Sequence, residues 1–179
     1  MREDASSVDR AIHEQIKLAP YEPSWPLAFL AERERLIGLF PSQLLSVEHI
    51  GSTAIAGMAA KPIIDILAGV ESMAVADELF EQLLINGYTT SREFNSTLPD
   101  RRWFMRVASG RRTHHLHVVQ FGGVRWQEHL RFRDALRGSA TLSQRYSQLK
   151  HRLAEQHSGG REAYTDAKAE FVASVVAVA

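Results

Sequence analysis

The sequence contains no cysteine among its 179 residues. This absence excludes disulfide bonds, metal sites built from thiolates and a cysteine nucleophile. Lysine plus arginine and aspartate plus glutamate each total 21, so the formal net charge is zero. A molecule with no excess charge has no long-range attraction for nucleic acid or for an acidic membrane. We therefore predict no broad nucleic-acid surface and expect any anion-binding site to be local.

Long apolar runs are also missing. The last nine residues, FVASVVAVA, are too short to cross a bilayer, which takes about 20 apolar residues, and they follow a charged stretch. The first ten residues, MREDASSVDR, lack the apolar centre of a secretory signal peptide. These features predict a cytoplasmic protein that makes no use of a membrane.

The length and the apolar fraction of 45% predict one globular domain. Residues 1–15 are polar and weakly patterned, so we interpret them as an N-terminal lead-in and assign residues 16–179 to the domain. Strand patterns in the middle of the chain are flanked by helical patterns, and two of the strands are joined by the turn signal Ser109-Gly110. This order predicts an α+β fold.

Hydrophobic periodicity and turn residues set the expected elements. The predicted helices cover Ser24 to Phe40, a segment around Leu79 to Leu84 that ends at Asn86-Gly87, Trp126 to Leu136, Leu142 to Gln156, and Tyr164 to the end. The predicted strands cover Ile16 to Leu18, Leu44 to Ile50, Ile63 to Val70, Tyr88 to Thr90, Arg102 to Val107, and His114 to Gln120.

The segment EHIGSTAIAGMAAKPIIDI, residues 48–66, places a loop of small residues between two predicted strands. Gly51 and Ser52 at a strand end allow the backbone and a hydroxyl to approach phosphate oxygens, and Asp65 on the next strand is suited to a divalent ion. Strand alternation places Asp65 among apolar neighbours, where a carboxylate needs a partner. The alternative interpretation is a tight turn followed by an acid that pairs with a nearby cation.

The segment HLHVV, residues 115–119, has a polar face formed by His115 and His117. With Asp65 these histidines predict a mixed nitrogen and oxygen site that suits Zn²⁺ or Mn²⁺ better than Mg²⁺. The alternative is an Asp-His hydrogen bond that satisfies a buried carboxylate.

Several cations are candidates for the same place. Lys61 ends the small-residue loop, and Arg102 and Arg106 share one strand face, so these three residues are predicted to bind an anionic ligand. The alternative for the two arginines is a solvated strand face. The arginines after residue 130 interleave with acids and are interpreted as exposed charge pairs. Tyr164 and Lys168 stand one helical turn apart, and a packed tyrosine beside a solvent-exposed lysine is the simpler interpretation.

The same segments resemble the GrpB family. The resemblance rests on residues 48–66 and continues through YEPSWP at 21–26, HLHVVQ at 115–120, WQEHLRFRDALR at 126–137 and YTDAKAEFV at 164–172. Ala56 stands where the family is expected to have proline. The resemblance implies a nucleotidyltransferase-like mixed β-sheet flanked by helices, with further helices at the C-terminus.

What the resemblance implies about function comes from the nucleotidyltransferase superfamily. In that comparison Gly51, Ser52 and Thr53 match the phosphate loop, and Asp65 matches the first metal-binding acid. The second acid position falls on Leu67, which cannot bind a metal. The resemblance therefore leaves two hypotheses. The first is a protein that binds a nucleotide or phosphorylated small molecule.

In this first hypothesis a divalent metal (Mg²⁺, Mn²⁺ or Zn²⁺) would be held by Asp65 and the two histidines, with His117 completing the coordination or acting as a base in nucleotidyl or phosphoryl transfer. The second hypothesis is a non-catalytic binding or folding-accessory module. It follows from the resemblance to the domain that is fused to some dephospho-CoA kinases.

Overall fold

The computed structural model describes residues 17–156 and 161–178, and of residues 161–167 it describes the backbone alone. The helices of eight or more residues are α1 (Ser24–Leu39), α5 (Val124–Gly138), α6 (Ala140–Gln156) and α7 (Arg161–Val176). The shorter helices are α2 (Met73–Glu78), α3 (Phe80–Ile85) and α4 (Arg92–Ser96), and a single 3-10 turn covers Ser52–Ala54. The strands are β1 (Ser46–Ile50), β2 (Ile64–Val70), β3 (Tyr88–Thr89), β4 (Arg101–Ala108) and β5 (Arg111–Gln120).

The five strands form one mixed sheet in the order β1-β2-β5-β4-β3. Strands β2 and β5 are parallel neighbours, and the other three pairs are antiparallel. The parallel pair lies at the centre of the sheet, where both of its faces are covered, as parallel strands require. Helices flank the sheet and the chain ends in helices, which confirms the predicted α+β class.

One face of the sheet carries the larger hydrophobic core. Alternate residues of β2 and β5, among them Ile66, Leu116 and Val118, are at most 1% exposed and pack with Phe104 of β4. Helix α1 covers this face with an apolar stripe that includes Leu36. Burial of this extent is the main source of stability for a domain of this size.

The opposite face carries a smaller apolar cluster and most of the polar candidates. Ile50, Leu67 and Val119 pack here against Trp126 of α5. A Cβ atom added to Gly69 would lie 2.9 Å from the Trp126 ring, so only glycine allows α5 to approach the sheet this closely. The side chains of Asp65, His115 and His117 share this face, which we call the polar face because of them.

The predicted elements are confirmed in type and order, with three differences. The helix predicted around Leu79 to Leu84 is present as α3, whereas α2 and α4 were not predicted. The strand predicted at Ile16 to Leu18 is wrong in its described part, because Lys17 and Leu18 are not extended in the sheet and Ala19 instead forms an isolated bridge with Ala60. Ile16, the lead-in of residues 1–15 and Ser158 to Gly160 lie outside the described residues.

The hairpin between β4 and β5 confirms the turn signal in the sequence. Ser109 and Gly110 both have positive φ angles, of 53° and 73°. Two-residue turns of this kind match the twist of paired strands. The predicted helix end at Asn86-Gly87 is also confirmed, because Gly87 has a φ of 87°. Across the described ranges, no helix combines the length and the apolar character needed to span a membrane.

A buried acid ties α1 to the far edge of the sheet. Glu32 is 4% exposed and accepts hydrogen bonds from the Tyr88 hydroxyl at 2.6 Å and from Arg35 at 2.6 Å. Arg106 of β4 reaches the second carboxylate oxygen at 2.5 Å. Burial alone would raise the pKa of Glu32, but the hydrogen bonds from Arg35 and Tyr88 and the charge of Arg106 outweigh it and lower the pKa.

We predict that Glu32→Ala lowers the free energy of unfolding by about 3 kcal/mol, because it leaves two arginines and a buried phenol without their acceptor. Because the pKa of Glu32 is depressed in the folded state, its contribution is present above the unfolded pKa near 4.5 and is lost as pH falls through the folded value. Urea titrations at pH 7 and pH 3 measure both effects. The exposed Glu34→Ala on the same helix is the control, and an equal loss in the two variants would contradict the prediction.

Candidate functional site

Asp65 and His115 form a hydrogen-bonded pair at the centre of the polar face. The parallel register of β2 and β5 sets these two residues directly opposite each other. Nδ1 of His115 lies 3.0 Å from Oδ1 of Asp65. An ionised carboxylate only accepts hydrogen bonds, so the histidine proton sits on Nδ1 and Nε2 carries a lone pair when the ring is neutral. The partner predicted for Asp65 is therefore His115.

Asp65 is ionised although it is largely enclosed. Burial alone would raise its pKa, but the hydrogen bond from His115 and the electrostatic interactions with His115, His117 and Lys168 lower the pKa below the ordinary value. The Asp65 side chain is 29% exposed and that of His115 is 17% exposed. The pair therefore combines a charged acid that is partly open to solvent with a histidine whose second ring nitrogen, Nε2, is buried.

Gly51 brings the backbone of the small-residue loop against this carboxylate. Its φ of 71° and ψ of −172° lie in a region that is essentially limited to glycine. A Cβ atom on Gly51 would lie 2.4 Å from Oδ2 of Asp65. Ser52, which is half-buried, follows at the start of the 3-10 turn. The structure thus brings Gly51 against Asp65, and Ser52 is the next residue of the chain.

Thr53, predicted to bind phosphate, faces inward instead. It is 1% exposed, and its hydroxyl lies 2.9 Å from Nε2 of His49 and donates to the Ile63 carbonyl at 3.5 Å. The His49 ring stacks on Phe29 of α1, with ring centroids 4.7 Å apart. Thr53 therefore fastens the loop to the core, and its predicted contact with a phosphate is wrong for this arrangement. Lys61 is half-buried at the end of the loop.

Arg102 and Arg106 do not reach the polar face. Arg102 lies opposite Val118 and Arg106 opposite His114, so both arginines project from the other face of the sheet. Arg102 donates to Asp77 of α2 at 2.6 Å, and Arg106 donates to Glu32 at 2.5 Å. The prediction that these arginines bind the same ligand as Gly51 and Asp65 is wrong, because strand alternation separates them by the thickness of the sheet.

Three cations of α5 and α6 bind carbonyl groups of the small-residue loop and of β1 just before it. Arg133 donates to the His49 carbonyl at 3.2 Å and to Glu48 at 2.7 Å. Arg137 donates twice to the Ala54 carbonyl, at 3.0 and 3.1 Å. Lys150 donates to the Ala59 carbonyl at 2.5 Å. Arg133 and Arg137 also pair with Asp134, at 2.7 and 4.0 Å, so the charge pairs expected for these arginines are present. Their bonds to backbone carbonyl groups were not predicted.

The polar face continues beyond the pair to His117 and His129. The two rings lie 5.4 Å apart, with His129 on α5 above the sheet. Burial lowers the pKa of His129 to about 4 and that of His117 well below its ordinary value, so both rings are neutral at physiological pH. Four buried nitrogen atoms on this face have no hydrogen-bond partner among the described residues: Arg101 Nε, His115 Nε2, His117 Nδ1 and His129 Nε2.

The predicted three-ligand metal centre is not the arrangement that the structure has. Within residues 17–156 and 161–178, no group of three histidine or acid side chains is placed to hold a metal ion. Oδ1 of Asp65 and Nδ1 of His115 are bonded to each other, as the alternative interpretation of the sequence expected. Leu67, at the position of the second acid, is completely buried beside Trp126. These residues do not fit a two-metal site.

The aromatic side chain of Trp103 borders the pair. Its ring centroid lies 5.3 Å from that of His115, and Phe94 meets it edge-on at 5.8 Å. The side-chain amide of Asn95 holds the Trp103 backbone, accepting from its N–H at 2.7 Å and donating to its carbonyl at 3.0 Å. Asn95 therefore supplies the hydrogen bonds that a neighbouring strand would make at this edge, and it fixes the position of Trp103.

Four residues near the site were missed or misread in the sequence: Arg101, His129, Lys150 and Lys168. His129 lies one turn after Trp126 on the helix face that packs on the sheet, and Lys150 lies one turn after the core residue Tyr146, so helical spacing indicates both. Lys168 was interpreted as solvent-exposed, but it is half-buried and its charge acts on Asp65. The Tyr164 side chain lies outside the described residues.

We predict that Gly51→Ala destabilises the protein more than Gly57→Ala. Both glycines have positive φ, of 71° and 76°, so each alanine costs about 1–3 kcal/mol of backbone strain, and the ψ of −172° at Gly51 lies in the region essentially limited to glycine. Only at Gly51 does the new Cβ collide with Asp65, whereas nothing lies within 4 Å of it at Gly57. Urea unfolding measures the free energy of unfolding of both variants. Equal losses would contradict the prediction, because they would show that the Asp65 side chain moves aside at no cost in stability.

The buried Lys150 gives a second prediction. Burial, followed by the charge of Lys168, lowers its pKa from 10.5 to about 7. The charged form of Lys150 therefore lowers the stability of the folded state. This destabilisation is complete below pH 7 and becomes smaller as pH rises from 7 to 10.5. Lys150→Met removes this penalty together with one hydrogen bond.

The quantity to compare is the free energy of unfolding of Lys150→Met minus that of the wild type. This difference should be larger at pH 6.5 than at pH 9.5, by on the order of 3 kcal/mol. Denaturant titrations at these two pH values test this gain. Gln148→Met, an exposed change on the same helix, is the control and should show no such trend. A difference between Lys150→Met and wild type that does not depend on pH would contradict the assignment.

Comparisons with known proteins agree on the family. The family model for GrpB protein matches residues 15–177. The UPF0157 protein YqkA of Bacillus subtilis is 37% identical over 158 residues, which cover 88% of this chain and 45% of that protein. A dephospho-CoA kinase of Mycolicibacterium paratuberculosis is 30% identical over 179 residues, covering 86% of this chain and 43% of the kinase. The chain thus spans less than half the length of these two relatives.

Among solved structures, the conserved protein GrpB from Enterococcus faecalis superposes with a TM-score of 0.80 at 34% identity. The alignment covers 90% of this chain and 96% of the Enterococcus protein, so the two share the whole described architecture. The Gly-Ser loop, the aspartate strand and the paired histidine strand lie inside the matched region. The chain belongs to the GrpB family.

Proposed function

We propose that the chain binds a phosphorylated small molecule, with a nucleotide as the favoured class, on the polar face of its sheet. One observation carries this proposal: the ionised and partly exposed Asp65 is bonded to His115 and lies against the backbone of Gly51 at the start of the small-residue loop. An acid, a base and a glycine that allows close approach are the usual parts of a ligand site. A purely structural module would gain little from an enclosed charge, which costs stability.

Cations near the pair support an anionic ligand. The charge of Lys168 acts on Asp65, and Lys61 stands at the end of the loop that begins with Gly51. The Ser52 side chain is half-buried beside them and supplies a hydroxyl. Together these groups would offset the charge of Asp65 when phosphate approaches.

The chemistry that the site could support is proton transfer rather than two-metal catalysis. Because Oδ1 of Asp65 accepts from Nδ1 of His115, the carboxylate would orient the ring and stabilise its protonated form. Nε2 would then take a proton from a hydroxyl group or water whose oxygen forms a bond to phosphorus. The bond from phosphorus to the leaving oxygen would break, and that oxygen would depart with the electron pair and take up a proton from His115 or water. This places the role of base on His115, where the sequence had favoured His117. A divalent ion would enter together with the phosphorylated ligand, and Asp65 would be the residue that binds it.

The test is a thermal-shift and calorimetry series with ATP, ADP, GTP and CTP, each with and without Mg²⁺. We expect one nucleotide to stabilise the wild type, by about 2.7 kcal/mol at 100 times its Kd. Asp65→Asn should lose this stabilisation. Asp77→Asn, an acid exposed on the other face, is the matched control and should keep it. The proposal fails if no nucleotide binds, or if the two variants bind equally.

The similarity to part of a dephospho-CoA kinase favours a second candidate function. The matched region is 43% of that kinase, so a domain of this kind occurs within a longer enzyme. In this second function the chain would assist the folding of a dephospho-CoA kinase. Refolding of a dephospho-CoA kinase with and without the purified chain tests it, measured as recovered kinase activity. The same gain with Asp65→Asn would favour this role over ligand binding, and no gain with either protein would exclude it for that kinase.

A further inference from the structure

Three buried nitrogen atoms lie together beside the Asp65–His115 pair. They are Nε of Arg101 on β4, Nδ1 of His117 on β5 and Nε2 of His129 on α5, and none has a hydrogen-bond partner among the described residues. Buried polar groups in native proteins are almost always bonded to protein, water or a ligand. Three unpaired groups from three separate elements therefore indicate a place that something else occupies.

The strand register explains why these groups meet. Arg101 lies opposite Val119 and Trp103 lies opposite His117, so Arg101 and His117 share the polar face as diagonal neighbours. Diagonal positions on adjacent strands are roughly 7–8 Å apart, which is within the reach of an arginine side chain. The ring of His129 covers His117 from above at 5.4 Å. The pocket is thus bounded by two strands and one helix.

The pocket offers hydrogen-bond donors and has no acid of its own. Nε of arginine is always a donor, and a neutral histidine can carry its proton on either ring nitrogen. Two acids act on these histidines from outside the pocket: Asp65, which is bonded to His115 at 3.0 Å, and Asp100, which is bonded to Arg125 at 2.7 Å. Positive charge on Arg101 and Arg125 also helps to keep His129 neutral. Such surroundings disfavour a metal cation and favour an oxyanion.

Strand β3 leaves this end of the sheet uncovered. It pairs only with Met105 and Arg106, so the start of β4 at Arg101 is an edge. The pocket and His115 are also close along β5, because His117 follows His115 by two residues, a rise of about 7 Å. A phosphate held at the pocket would therefore place the rest of a small ligand beside the Asp65–His115 pair.

We infer that Arg101, His117 and His129 form an oxyanion pocket that receives a phosphate group of the ligand bound at Asp65 and His115. This inference rests on the proposed function and deepens it, because it assigns the ligand class as one with a phosphate separated from its reacting group by about 7 Å. Nucleotides and other phosphorylated metabolites with a second functional group meet this condition. Each donor contributes a charge-assisted hydrogen bond to the phosphate.

The experiment measures binding of inorganic pyrophosphate and of the nucleotide series by calorimetry. Arg101→Met should weaken pyrophosphate binding about tenfold or more, because it removes a bond to a charged group. Arg101→Lys, which keeps the charge and loses the Nε donor, should also bind more weakly than wild type. Arg102→Met is the matched control, since Arg102 is the next residue and projects from the other face. Circular dichroism of each variant verifies that it is folded.

Imidazole nitrogen NMR gives a second measurement that does not depend on the variants. Saturation with pyrophosphate should shift Nδ1 of His117 and Nε2 of His129 in the wild-type protein. If Arg101→Met binds pyrophosphate as tightly as wild type and the histidine signals stay in place, water fills the pocket and the inference is overturned.

The two proposals fail in different ways. If nucleotide binding depends on Asp65 but not on Arg101, the proposed function stands and the oxyanion pocket does not. If pyrophosphate binding depends on Arg101 while Asp65→Asn leaves every nucleotide affinity unchanged, the pocket stands and the proposed function does not. Absence of binding by pyrophosphate and by all nucleotides overturns both.

Discussion

The parallel pairing of β2 with β5 is the constraint on which the site depends. This register alone sets Asp65 opposite His115 and Leu67 opposite His117, and it joins the small-residue loop to the histidine strand. A slip of one residue would exchange the two faces of β5 and bury Leu116 among the polar groups. The register is held by the larger core, where Ile66 and Val118 are fully buried. The packing of one face therefore determines the chemistry of the other.

The sequence predicted the elements well because each has a local cause. Turn residues mark Ser109-Gly110 and Asn86-Gly87, and apolar periodicity marks the helices. It also predicted that Asp65 needs a partner, since alternation places that acid among apolar residues. It could not assign Arg102 to a face of the sheet. Alternation within one strand shows which of its residues share a face, but only the pairing with other strands determines whether that face is the polar one. Lys168 was misread because its electrostatic interaction with Asp65 joins residues that are far apart in the sequence.

The loop from Gly51 to Lys61 is held by contacts of a different kind from those of the sheet. Arg137 and Lys150 bind its carbonyl groups, Arg133 binds the His49 carbonyl in the strand just before it, and the buried Thr53 hydroxyl fastens its inner side. A loop of small residues has little side-chain surface to bury, so it would otherwise be free to move. The C-terminal helices therefore act as a scaffold for the loop. A ligand site on this loop would be preorganised by residues that never touch the ligand.

The replacement of an acid by Leu67 changes what the polar face can do. A second carboxylate there would lie beside Asp65 and need metal ions to offset the repulsion between the charges. Leu67 instead extends the apolar cluster of Ile50, Val119 and Trp126, which seats α5 on the sheet. The seated helix brings His129 to His117. The burial of Leu67 and the enclosure of two neutral histidines are thus linked by packing, and the polar groups of this face are suited to hydrogen bonding and proton transfer.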